Sequence, residues 1–376
     1  MFEETKEERF LKKHFQEYYK NNFVDSVPEI EKREFGFGVM GRKIADRHVA
    51  FNNANEMNSF LREKIPLFLS YSNACYKYPG RRPMSNKELE KADIIYEFDA
   101  DDLCQIDEVN GKQWFFEEHI EATKKEVFRL LDFLENDFNF TEGISINFSG
   151  KAGFHIHLRN KEIQLLNKKS RIELVDYLTG YGIYFDNLGF ELEKKLSLPR
   201  GKGLWGKRIV TSLKELFETD AKEISKITNM PTQTRKLLKS KKDLLEAIDR
   251  GFLISVGPRK DKEFWMNIMN YVVQNEKSPI DRQTSIDMHK IIRVPETLHG
   301  DTGMKAQIIN IDDLKEYSPF TEAIVFGDDL VRVFVKEAPE FYLKGEKFGP
   351  YKEEEVEVPL FCAIFLIGKG AELRKE

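Results

Sequence analysis

Three short stretches of this 376-residue chain carry side chains that could do chemistry together. The first, Ile94-Ile95-Tyr96-Glu97-Phe98-Asp99-Ala100-Asp101-Asp102-Leu103, ends in closely spaced carboxylates. Its aromatic and β-branched opening, free of Gly and Pro, predicts a strand over residues 94–103. Alternation then puts Ile94, Tyr96, Phe98 and Ala100 on a core face and Ile95, Glu97, Asp99 and Asp101 on the other. Like charges so placed need an answer. A hard divalent cation such as Mg²⁺ supplies one and leaves room for substrate phosphates. Taken alone, an Asp-x-Asp pair is more often an acidic strand end facing water.

The second stretch, residues 147–158, reads Asn-Phe-Ser-Gly-Lys-Ala-Gly-Phe-His-Ile-His-Leu. Two strands flank a tight turn bounded by glycines, which let backbone amides approach an anion. Ser149, Lys151 and His155 would bring a hydroxyl, an ammonium and an imidazole to one hairpin end, a set suited to a triphosphate. Strand histidines are often mere surface residues, but the chain has only seven. The third stretch contains Asp281, then Thr284 and Ser285 as caps for a short helix that Pro295 would stop, with Arg293 and His299 at and beyond its end. A third carboxylate and two cationic groups would complete a phosphoryl-transfer site. The bland alternative is a surface helix with scattered charges.

Several elements must position these groups. Residues 3–21 and 54–64 show helical periodicity, and residues 33–51 read as a hairpin in which Glu34 and Arg47 face each other. A capping box at residues 85–88 predicts a short helix leading into the acidic strand. Residues 116–135 predict a long helix, and short strands return after residue 300, at 323–326 and 330–335. Between about 160 and 265 lysines cluster (168–169, 194–195, 239–242), helices capped near Ser170 and Ser240 are expected, and a Gly-rich loop occupies 198–208. This part reads as a mainly helical insertion. The division expected is residues 1–160 and 266–376 as two parts of one α+β core, with 161–265 inserted.

Composition bounds the class. With 41% hydrophobic and 33% charged residues, and 30 Phe, the chain can build a sizeable core. A net charge of −5 argues against non-specific coating of nucleic acid but leaves a local basic grip possible. No apolar run approaches a membrane span, and the start lacks a signal-peptide core, so an intracellular, cytoplasmic protein is expected. The three cysteines cannot ligate an iron–sulfur cluster that needs four.

The combination, in this order, resembles the catalytic small subunit of archaeal/eukaryotic-type DNA primase. It rests on the Arg-Glu-Phe-Gly-Phe hairpin with Arg47-His48-x-x-Phe51, the Tyr-Glu-Phe-Asp-Ala-Asp-Asp-Leu strand, Ser-Gly-x-x-Gly-x-His, and Arg-x-Pro-x-x-x-His-Gly-x-Thr-Gly. The last motif looks archaeal. The resemblance implies an archaeo-eukaryotic primase catalytic core of mixed sheets flanked by helices. Asp99, Asp101 and Asp281 become metal ligands for two Mg²⁺ or Mn²⁺ ions. Ser149, His155, Arg293 and His299 become nucleotide-binding residues, with Glu34 and Arg47 bordering them, and Lys151 is expected to stand in for the basic residue that the family has one position later.

The implied activity is DNA-directed synthesis of short primers from nucleoside triphosphates on a single-stranded DNA template. The implied partner is a large primase subunit with an iron–sulfur domain, and the implied setting is the nucleoid during replication. Two departures stand out. Ala152 occupies a position where the family usually has a basic residue. Only Cys104 and His119 follow the acidic strand, too few for a structural zinc, which is not expected. Alternatives are a repair or translesion polymerase of the same superfamily, a metal-dependent phosphoesterase or nuclease, and a non-catalytic binding subunit.

Overall fold

The computed structural model describes residues 4–192, 195–199, 204–218 and 221–374. Lys194 and residues 200–203 of the expected Gly-rich loop lie outside the described residues. Two compact units emerge: one comprises Met1–Leu131, Phe140–Ile172 and Ile280–Glu376, the other Asp132–Asn139 and Glu173–Pro279. The fold is α+β, with antiparallel sheets and helices together in the larger unit and mainly helices in the smaller.

The larger unit contains two four-stranded sheets. In the first, the strand order is Ile291–Arg293, Phe68–Ser72, Phe35–Val39, Arg42–Val49. The last two form the expected hairpin, with Gly36 opposite Arg47. In the second sheet the order is Ile308–Ile309, Ile144–Phe148, Gly153–Leu158, Ile94–Asp99. Here the middle pair is the expected hairpin, and it aligns Gly153 with Asp99 and His155 with Glu97.

The helix Lys6–Asn21 begins where Thr5 accepts a hydrogen bond from the Glu8 amide, and it buries Leu11, Phe15 and Tyr19 at i, i+4, i+8. Its last turns also hold a distant loop: the Tyr19 hydroxyl accepts from the Leu298 amide (3.1 Å), and the Tyr18 hydroxyl donates to Glu296 O (3.0 Å). The helices Ala54–Lys64 and Glu117–Phe138 fall where periodicity placed them.

Four expectations need correction. The acidic strand stops at Asp99, and Ala100–Leu103 is a helical turn. Asp is a poor strand former, whereas Asp101 and Asp102 fall in a first helical turn, where the helix dipole favours negative charge. Residues 85–88 cap no helix: the turn Met84–Asn86 gives way to a strand, Leu89–Ala92, through Glu88 at φ 55°. The helix after residue 280 is only Arg282–Ile286, and its cap is Asp281, which accepts from the Gln283 and Thr284 amides. Beyond it the β-branched run before Pro295 favours extended backbone, so Arg293 sits on a strand. Residues 323–326 form no strand.

In the smaller unit, helices Leu204–Glu218 and Asp261–Glu276 meet through Phe217 and Trp265, whose ring centroids lie 5.7 Å apart. The helix expected near Ser170 is Lys168–Leu178, beginning two residues earlier, and the Asn167 side chain just before it accepts from the Ser170 amide, while Ser240 is the cap residue of Lys241–Asp249. Among the described residues, no helix is long and apolar enough to cross a membrane.

Candidate active site

A pocket of about 260 Å³ opens in the larger unit where the ends of both sheets meet. Its walls include Asp99, Asp101, Ser149, Lys151, His155, Arg293 and His299, so seven of the ten residues singled out by sequence converge here. Lys43, Glu97 and Phe115 also line it.

The hairpin glycines allow this approach. A Cβ on Gly153 would lie 2.2 Å from Asp99 Oδ1, and one on Gly150, at φ +86°, would lie 2.8 Å from His299 Cβ. Nothing but hydrogen fits between the turn and its neighbours at these two points. The Ser149 hydroxyl accepts from the Lys151 and Gly153 amides (3.4 and 3.2 Å), which leaves its proton for a ligand. Thr302 Oγ1 donates to Gly150 O (2.6 Å) and ties the His299 loop to the hairpin.

Charge in the pocket is divided between carboxylates and cations. Burial, then the neighbouring Glu97, Asp101 and Asp102, push the Asp99 carboxyl up to about 6, opposed by Lys43. Glu97 pairs with Lys290 and lies 3.8 Å from His155 Nε2. Burial lowers Lys151, an effect that Lys43 reinforces, and it pushes Arg293 down to about 10. Among the described residues, the Arg293 guanidinium makes one long bond, to Leu298 O at 3.5 Å, and stacks over Phe68. Both site histidines are neutral, because burial lowers His155 to about 4 and His299 well below the usual range. The Asp301 amide donates to His299 Nδ1 (3.1 Å), so Nε2 carries the proton.

Glu34 and Arg47 lie beside the pocket. The buried Glu34 carboxylate takes Arg47 Nε at 2.7 Å and His48 Nδ1 at 3.0 Å, with buried Lys87 Nζ at 3.5 Å. A Cβ on Gly36 would lie 3.0 Å from pocket residue Ile291 and 3.3 Å from Arg47 Cβ, which locates Arg47 next to that wall. Asp281 is not drawn into the pocket. Its carboxylate caps Arg282–Ile286 and, after burial and Asp101, adds to what raises the Asp102 carboxyl.

Sequence reasoning missed Gln113, which bridges two site residues. Its Nε2 donates to Asp101 Oδ2 (3.2 Å) and its Oε1 accepts from Lys151 Nζ (2.8 Å). No motif marks it; the hairpin of Asp107–Val109 and Lys112–Trp114 delivers it. Ala152 packs with Ala100 and Phe115, so the usually basic position is apolar core here. Nearby, Lys369 donates to Gln113 O (2.6 Å), and burial lowers it to about 7.

Among the described residues, no three His, Cys, Asp or Glu side chains converge tightly enough to hold a metal by themselves. The donor set still suits a hard cation. Asp99 is raised by burial and then by like charge, and a divalent ion answers both with its own charge.

Comparison with known proteins gives one family. The sequence model described as DNA primase small subunit matches residues 99–311. The chain is 32% identical over 395 residues to a protein named DNA primase small subunit PriS from Methanothrix thermoacetophila, covering 98% of each. Proteins of the same name from Methanosarcina barkeri and Archaeoglobus fulgidus are 29% and 28% identical, over 96% of this chain and 95% and 97% of theirs.

Proposed function

The chain belongs to the DNA primase small subunit family, and from that premise we propose that it builds short primers on single-stranded DNA by two-metal nucleotidyl transfer. The observation that carries this reading is the pocket itself. It places Glu97, Asp99 and Asp101 beside Lys43, Lys151 and Arg293, a charge division suited to a polyphosphate that brings its own cations.

Asp99 and Asp101, joined by Asp281, would hold Mg²⁺ or Mn²⁺. Bound there, the ions would ease deprotonation of the attacking 3′-hydroxyl and offset charge on the leaving pyrophosphate. Arg293 and Lys151 would meet the triphosphate oxygens with charge-assisted hydrogen bonds. Ser149 Oγ and His299 Nε2 would donate to the same group without adding charge. Glu34 would hold Arg47 at the nucleotide's border. Gln113 would keep the Asp101 carboxylate and the Lys151 ammonium apart and aimed. Gln113→Ala is expected to lower the rate of primer extension roughly tenfold, as losses of supporting groups around ligating carboxylates do. An unchanged rate would remove Gln113 from the site.

The small-subunit name of the relatives implies a large-subunit partner, and we assign this chain one as well, with an iron–sulfur domain that helps start primers. Replication at the cytoplasmic nucleoid is the setting that this function implies. The test is incorporation of labelled nucleotides on unprimed and primed single-stranded DNA, with Mg²⁺ or Mn²⁺. We expect the chain alone to extend a primer better than it starts one. Degradation of the labelled strand without synthesis would favour a nuclease. A folded protein that neither extends nor starts a strand would make it a binding subunit.

A further inference from the structure

Behind the pocket, a chain of buried polar side chains runs from one sheet into the other and ends on His155. Its first member is Arg159, anchored by Asp93 Oδ2 (3.3 Å) and Ser145 Oγ (2.5 Å). Arg159 Nη2 lies 2.8 Å from the Tyr71 hydroxyl, which lies 3.4 Å from His157 Nδ1. His157 Nε2 lies 2.9 Å from Asn147 Oδ1, and Asn147 Nδ2 lies 3.4 Å from His155 Nδ1. Tyr71, Asn147, His155 and His157 are all buried.

The hydrogens of this chain are directed from the Asn147 end, and the Arg159 end is compatible with that direction. A guanidinium can only donate, so the Tyr71 oxygen accepts from Arg159, leaving its own proton for His157 Nδ1. At the other end, Asn147 places an amide atom 2.8 Å from Phe148 O. A backbone carbonyl can only accept, so that atom is the nitrogen and the other is the oxygen. The oxygen must then receive the proton of His157 Nε2, which leaves His157 Nδ1 bare to accept the free Tyr71 proton. The second Asn147 amide hydrogen meets His155 Nδ1, which must therefore also be bare.

We infer that Asn147, His157 and Tyr71 form a one-way hydrogen-bond relay that fixes His155 as the Nε2–H tautomer, so that it presents a donor to the pocket. The role of that donor toward nucleotide phosphate rests on the primase reading; the relay itself does not. Asn147 is a positioning residue here, because it acts only through His155. With Nδ1 protonated instead, His155 would offer the pocket a lone pair, which repels a phosphate oxygen.

Asn147→Asp is the discriminating variant. It keeps shape and still accepts from His157, but its second oxygen cannot donate to His155. With only seven histidines in the chain, selective ¹⁵N labelling and two-bond ¹H–¹⁵N correlation can read each ring nitrogen. The wild type should show neutral Nε2–H patterns for His155 and His157. In Asn147→Asp, His155 should lose that pattern, and the KM for nucleotide should rise about tenfold with a smaller change in kcat. If Asn147→Asp does not fold, Asn147→Ala serves: with neither the amide oxygen nor the amide nitrogen in place, His155 and His157 should both lose their single-tautomer patterns. A wild-type His155 carrying its proton on Nδ1, or a His155 pattern unchanged in the aspartate variant, would overturn the relay. The spectra need no activity, so a chain that makes no primers yet shows these shifts would sink the primase role and leave the relay standing.

Discussion

Asp101→Ala is expected to reduce primer extension by at least about 10³-fold while leaving the fold intact. The carboxylate is exposed in the first turn of a four-residue helix and accepts a hydrogen bond from Gln113. Little packing is lost with it, so circular dichroism and melting temperature should stay close to wild type. What disappears is one oxygen donor set for cations and the charge that sets Lys151 through Gln113. If the pocket binds metal-chelated nucleotide, affinity for Mn²⁺ in the absence of nucleotide should fall in parallel. A folded Asp101→Ala protein that still extends primers would remove this carboxylate from the chemistry.

Asp99→Asn should destroy activity to a similar degree and, in metal-free buffer, make the protein more stable. Because the folded-state value of Asp99 lies near 6, above the ordinary carboxyl range, the folded protein holds that proton more tightly than the unfolded chain. Its contribution is therefore fully present below about pH 4 and is lost as the pH rises through about 6. The asparagine form has no such loss. Above pH 7 it should exceed wild type by on the order of 1–3 kcal/mol, or roughly 2–5 °C in melting temperature. Near pH 4 the two should melt together. Saturating Mg²⁺ or Mn²⁺ should narrow or invert the gap, because only the wild type offers a carboxylate to the ion. Melting curves at pH 4 and pH 8, with chelator and with metal, decide it. A variant less stable than wild type at pH 8 in chelator would show that like-charge crowding is not what Asp99 experiences.

Much of this site could be read from residues because the strongest local rules applied to it. Alternation with two glycines located the Ser149 and His155 hairpin correctly, and the Glu34–Arg47 ion pair forms although the hairpin register sets Gly36 opposite Arg47. The same alternation failed one residue beyond Asp99. There the acidic run began a helix, yet Asp101 reached the pocket by a helical step instead of a strand step. Helix and strand were confused again before Pro295, where a β-branched run outweighed the periodic charges. Gln113 and Lys43 carry no motif, and only tertiary pairing brings them in. The Asn147 relay lay hidden for a different reason. Its members looked like ordinary strand residues, and their meaning depends on which atom of each faces which.

The strand Ile291–Arg293 closes one edge of its sheet by pairing with Phe68–Ser72, a partner roughly 220 residues upstream. On a ribosome adding 5–20 residues per second, that gap lasts roughly ten to forty seconds. Throughout it the Phe68–Ser72 strand has one open side, and the nascent chain lacks Arg293 and His299. Asp99 and Asp101 are thus made early, Ser149, Lys151 and His155 roughly fifty residues later, and Arg293 and His299 last. A ribosome stalled before residue 291 would display an unpaired strand edge, the kind of surface that chaperones and neighbouring nascent chains capture.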